Sequence, residues 1–118
     1  MANPESYQFY QWFPARFRAD RRIRKLDGID IAILRALHDV LWAMPDKQIH
    51  EDDIAIATEL DITTEQWRAA KHHTIDSGAI YRDQGFIRSP HVDEAWEHCL
   101  NNSTKKAAAA NKRWKTDT

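Results

Sequence analysis

Six cations fall within ten residues near the start of the chain: Arg16, Arg18, Arg21, Arg22, Arg24 and Lys25. Asp20 is the one acid among them. Guanidinium and ammonium groups at this density repel one another unless a polyanion or an acidic protein surface neutralises them. Two chemistries follow: ion pairing with nucleic-acid phosphates, or folding back onto the chain's own acids. Arg18, Arg21, Arg22 and Lys25 recur three or four apart, so in a helix they would share one face. The other end repeats the pattern. There Lys105, Lys106, Lys112, Arg113 and Lys115 stand against Asp117 alone.

These ends are not visible in the total. The 118-residue chain has a net charge of −1. Residues 1–25 hold six Lys/Arg and two acids, and residues 105–118 hold five and one, so each end carries +4 and the middle −9. An acidic body with two basic ends fits two phosphate-gripping arms. It also fits ordinary solvated faces.

A second candidate group lies mid-chain. A helix over about Thr64–Ser77 would show Gln66, Arg68, Lys71, His72 and His73 on its polar side. Gln and Arg can bond base edges bidentately, and Lys or protonated His can meet phosphate. Arg82 and Arg88 flank Gly85 and would sit on a hairpin able to touch a backbone. Glu51, Asp52, Asp53, Glu59, Asp61 and Glu65 lie on or beside this region and oppose DNA unless turned away. A solvated helix face used for protein contact is the competing reading.

Other chemistries find little support. His72-His73, His91 and His98-Cys99 lack metal-ligand spacing, so no metal or cofactor is expected. Cys99 sits at a packing position without a nucleophile's partners. Three glycines make no phosphate loop, and no carboxylate pair stands out, so an enzyme is not expected. The lone cysteine fits a reducing compartment. No apolar run approaches the ~18 residues of a membrane span, and the start has no secretory leader. The expected location is therefore the cytoplasm, with nucleoid association if the protein binds DNA.

The elements that must position these groups are legible from capping and periodicity. Asp27 caps a helix whose apolar residues Ile29, Ile33, Leu37, Val40, Leu41 and Met44 would face the core, with Leu26 stapled to Ile31. Pro45-Asp46 ends it, and Lys47–His50 could form a short strand. A second helix starts at the acids 51–53, with Ile54, Ala55, Ala57, Thr58 and Leu60 as its apolar face. Thr63 and Gln66 have capping-box spacing for the third helix, with Trp67 as its anchor beside Ala70, Thr74 and Ile75, and Gly78 as its stop. Ala79–Arg82 and Phe86–Ser89 around Asp83-Gln84-Gly85 predict a hairpin with a three-residue turn. A last helix would pack Val92, Trp96, Cys99 and Leu100, followed by a basic, alanine-rich helical tail.

The order predicts a mainly α fold with a small β-hairpin: a winged helix-turn-helix with an aromatic N-terminal brace and a C-terminal helical tail. Residues 1–25 would pack on a core over 26–101, and 102–118 would be the tail. The brace is "YQFYQWF", Tyr7 to Phe13, five of whose seven residues are aromatic. Tyr7, Phe9, Tyr10, Trp12, Phe13 and Phe17 would thicken a small core, although base stacking or a partner-binding strip, including a homodimer contact, would use the same rings.

"FYQWFPARFRAD" resembles the Y-x-F-x-P-x-x-F-x-A-D opening of the domain of unknown function 1376 family, which is phage- and prophage-associated. "LDGIDIAILRALHDVLWAM" looks like that family's first long helix. "LDITTEQWRAAKHHTIDSGAIYRDQGFI" is similar to its L-x-[ILV]-[ST]-x-x-x-W helix and hairpin, and "STKKAAAANKRW" resembles its basic tail. The ordered match runs from Tyr7 to Trp114. It implies a winged-helix-like domain encoded near replication genes, preceding helicase-loading segments in longer relatives, and no catalytic residues. This chain is richer in arginine at "RFRADRRIRK", and no effector segment is expected after the tail. The expected function is non-enzymatic DNA binding in phage or mobile-element replication or its control. The alternative is an adaptor or inhibitor that contacts a helicase, a loader or another host protein.

Overall fold

The computed structural model describes residues 14–102. The aromatic run Tyr7 to Phe13 and the tail cations Lys105, Lys106, Lys112, Arg113 and Lys115 lie outside the described residues.

The chain begins with two short helices, α1 (Pro14–Ala19) and α2 (Arg21–Arg24). They do not form the single helix that would align Arg18, Arg21, Arg22 and Lys25. Asp20 leaves the helical region with φ −68° and ψ 124°, and its carboxylate accepts from the Arg22 amide at 2.8 Å. A side chain that caps a new helix ends the old one. Phe17, Ile23 and Leu26 are buried, so the basic segment is anchored by its apolar residues.

α3 (Gly28–Ala43) starts as its sequence directs, with Asp27 Oδ1 accepting from the Asp30 amide at 2.8 Å. Its buried stripe is Asp30, Ile33, Leu34, Leu37, His38, Leu41 and Trp42. Ile29, expected inside, is 70% exposed. The stripe is wider than the expected one and begins one residue later. A 3-10 turn (Pro45–Lys47) follows, then β1 (Ile49–His50). In α4 (Asp53–Glu59) the inward residues are Ile56 and Ala57, whereas Ile54, Ala55 and Thr58 point out. The expected face was thus turned by part of a helical turn.

α5 (Thr64–Ser77) has both halves of the Thr63–Gln66 capping box and ends on Gly78 at φ 84°. Trp67, Ala70 and Thr74 are buried along it. β2 (Tyr81–Asp83) and β3 (Phe86–Arg88) form the hairpin. Its turn has two residues, not three: Asp83 pairs with Phe86, and Gln84 and Gly85 take φ 51° and 83°. β1 pairs antiparallel with β3, giving a three-stranded sheet in the order β1-β3-β2. α6 covers 90–102 and buries Val92, Ala95 and Cys99. Leu100, expected to pack, is 40% exposed.

The architecture is mainly helical with a small antiparallel sheet. A single apolar cluster joins Phe17 and Ile23 to α3, α4, α5, the hairpin and α6. No described helix is long and apolar enough to cross a membrane.

Candidate nucleic-acid interface

α5 presents Glu65, Gln66, Arg68, Ala69, His72, His73 and Asp76 to solvent. This face is held in place by Trp67, buried to 1%, whose indole N–H donates to Asp53 Oδ1 at 2.9 Å. Asp53 is the hub of a charge network. Lys71 Nζ donates to Asp53 at 2.6 Å and to Glu51 at 3.1 Å. Arg68 Nε donates to Asp53 at 3.2 Å, and Arg82 Nε donates to Glu51 at 2.8 Å. The acids flanking the third helix are therefore not all turned away. Two of them meet the cations of α5 and β2.

The electrostatics follow from these contacts. The Arg82 guanidinium, with Lys71, holds Glu51 below the usual carboxylate range against a smaller opposing effect of burial. Lys71, with Trp67 and Arg68, does the same for Asp53. Burial pulls the Lys71 ammonium down, but Asp53 and Glu51 together outweigh it, so its pKa rises. Lys71 is 14% exposed. It serves the network and does not project as a free phosphate ligand.

Other expected contact residues are also committed to the fold. Gln66 Oε1 accepts from the Thr63 amide at 2.9 Å, so this side chain closes the capping box. His73 Nδ1 lies 2.9 Å from Asp30 Oδ2 and ties α5 to the first turn of α3. Arg88 bonds Gln48 at 3.1 Å and Asp93 at 3.2 Å, which joins the sheet to α6. His72 is exposed. An open cleft of about 260 Å³ separates α5 from β2, lined by Lys71, His72, Ile75, Asp76 and Arg82.

The basic segment divides in two. Arg22 grips Asp20 with Nε at 2.9 Å and with Nη2, and its stem passes over Gly78. This pairing, opposed by burial, brings the Asp20 carboxyl down to about 2. His91 Nε2 lies 3.0 Å from the same carboxylate, in poor alignment for a hydrogen bond. Arg16 approaches Glu94 at 3.6 Å. Arg18, Arg21, Arg24 and Lys25 are exposed, and among the described residues no carboxylate pairs with them.

No family model, no curated protein and no solved structure matches this chain. The site therefore stands on its own geometry. Among the described residues no group of three or more His, Cys, Asp or Glu side chains converges on a metal position. The organising residues that sequence reasoning missed are Glu51 and Asp53. Their charge was visible, but their partners lie 14 to 31 residues away.

Proposed function

We propose that this chain is a non-enzymatic DNA-binding protein with a winged-helix body, acting in replication, or its control, of a phage or mobile element. The element order supports the body: α3, β1, α4, α5 and a hairpin, with β1 closing the sheet beside β3. In that reading α4 and α5 are the helix-turn-helix and β2–β3 is the wing. The four ordered segments that resemble the domain of unknown function 1376 family support the phage and replication setting.

The observation that carries the reading is the set Arg18, Arg21, Arg24 and Lys25, exposed and without acidic partners among the described residues. The segment that bears them is fixed by buried Phe17, Ile23 and Leu26. The backbone that carries them is thus already ordered before they meet phosphates. The net acidic charge of the rest of the body favours docking that includes this end.

Fluorescence anisotropy of labelled duplex and single-stranded DNA across a salt series tests this. The full chain should bind duplex with a log–log slope near −0.9 per contacted phosphate. Replacing Arg18, Arg21 and Arg24 by alanine should weaken binding and make the slope shallower by up to about 3. An unchanged slope would remove this arm from the interface.

One observation favours a second reading. Ile29 and Ile54 are 70% and 67% exposed in the first turns of α3 and α4, while Lys71, Arg68 and Arg82 are already paired. An adaptor that contacts a helicase, a loader or a host factor would use such a surface. Absence of DNA binding by the full chain at low salt is the outcome that selects it.

A further inference from the structure

Arg68 and Arg82 are engaged in an unusual way for paired arginines. Each is bonded to a carboxylate through Nε, Arg68 to Asp53 and Arg82 to Glu51. Among the described residues neither uses its terminal nitrogens in a hydrogen bond. Their side chains remain 61% and 56% exposed. Lys71 sits between the two carboxylates, bonded to both and mostly buried. Three cations and two acids leave the group a net positive charge of one.

We propose that Glu51 and Asp53 are positioning residues that hold the guanidiniums of Arg68 on α5 and Arg82 on β2, terminal nitrogens outward, for phosphates of a DNA backbone. The inference rests on the DNA-binding reading and assigns this face a role that charge counting alone would deny it.

The competing expectation is that the two acids simply repel DNA. Distance decides between them. A phosphate on the terminal nitrogens of an arginine lies roughly twice as far from the carboxylate at Nε as from the guanidinium itself. Coulomb attraction falls inversely with distance, so about half of it survives. Screening over about 8 Å at physiological ionic strength weakens the farther repulsion more. Against that partial loss stands the rotamer freedom of a long side chain, which a free arginine surrenders on binding and a tethered one has already lost. The fork also needs a fixed plane for bidentate phosphate contact. Glu65 and Asp76, both exposed on α5, add acids to this face, Asp76 at the cleft beside Arg82. They would confine phosphate to the two guanidiniums.

Glu51 is the cleaner residue to test, because Asp53 also satisfies the Trp67 indole. Full-length Glu51→Ala, Glu51→Gln and Arg82→Ala proteins would be titrated into labelled duplex across the same salt series, with thermal melts as the folding control. Glu51→Ala should bind about 3- to 10-fold more weakly although it removes a negative charge. Glu51→Gln, which keeps an acceptor for Nε, should bind at least as well as the unaltered protein. Arg82→Ala should bind more weakly with a shallower salt slope. Equal or tighter binding by Glu51→Ala would overturn the positioning role and leave the DNA reading standing. No duplex binding by the unaltered protein would overturn both.

Discussion

Trp67 shows how one side chain serves both packing and charge. Its ring is 1% exposed between α5 and the rest of the core, and its N–H is one of four donors that converge on Asp53 and Glu51. Trp67→Ala should cost about 3–5 kcal/mol through the cavity it leaves. Trp67→Phe keeps most of the apolar area and withdraws one hydrogen bond from Asp53, so it should cost less, about 1–2 kcal/mol. Urea unfolding midpoints of the two variants check this. A phenylalanine variant as stable as the parent would mean that the indole bond to Asp53 contributes nothing. The anchor was legible in the sequence, because a tryptophan four residues past a capping threonine has a fixed place on the first inward turn. The partners of Asp53 were not. Lys71 is 18 residues away and Arg68 is 15, and only the packing of α4 against α5 brings them together. The same limit hid His38, which lies buried with Nε2 2.8 Å from Ser89 Oγ.

Elements were most legible where local chemistry decides them. Asp27, the Thr63–Gln66 box and Gly78 place three helix ends, because capping depends on residues within one turn. Inward faces were less legible. Ile29 and Ile54 stand in first turns, where a 3–4 pattern admits more than one phase, and the deeper contacts fell to Leu34 and Ile56. The hairpin turn was misjudged because Gln84 at φ 51° gives no glycine signal at the first turn position. Gly78 offers a test at this scale. Its φ of 84° is costly for an L-residue, while an added Cβ would meet only the Arg22 stem at 3.4 Å, an ordinary contact. Backbone strain, not crowding, should therefore set the effect. Gly78→Ala should lose about 1–2 kcal/mol, and Gly78→Asn should lose less, since Asn tolerates this conformation. Thermal melts rank the three proteins. An alanine variant that melts with the parent would show that the left-handed cap does not hold the end of α5 or the Arg22 stem above it.

At the scale of the whole molecule, the basic segment is joined to the body over two histidines. Phe17 packs at 6.2 Å from His38 and 5.4 Å from His91, ring centre to ring centre, and the two imidazoles are 5.8 Å apart. Burial first, then the charges of His91 and Arg35, bring His38 down to about 3. Burial also lowers His91, with Arg22 adding to it and Asp20 and Glu94 opposing. The native state thus holds His38 neutral, whereas the unfolded chain protonates it near pH 6.5. Between those values the unfolded state binds more protons, so stability must fall as the pH falls. At about 1.4 kcal/mol per pH unit, His38 alone should remove about 2 kcal/mol between pH 7 and 5. Asp20 acts lower. Its carboxyl titrates near 2 in the folded state against an ordinary value near 4, so its contribution is intact above pH 4 and is lost only below it. Loss between pH 7 and 5 therefore belongs to the histidines. His38→Gln keeps a polar partner for Ser89 and removes the titration. Urea unfolding at pH 7.5 and 5.0 should show a parent that weakens with acid and a variant that weakens about 2 kcal/mol less. Equal losses would place the proton elsewhere. The expected difference would mean that the stability lost to acid comes from proton uptake by the unfolded chain at His38, which the folded protein keeps neutral beside Phe17.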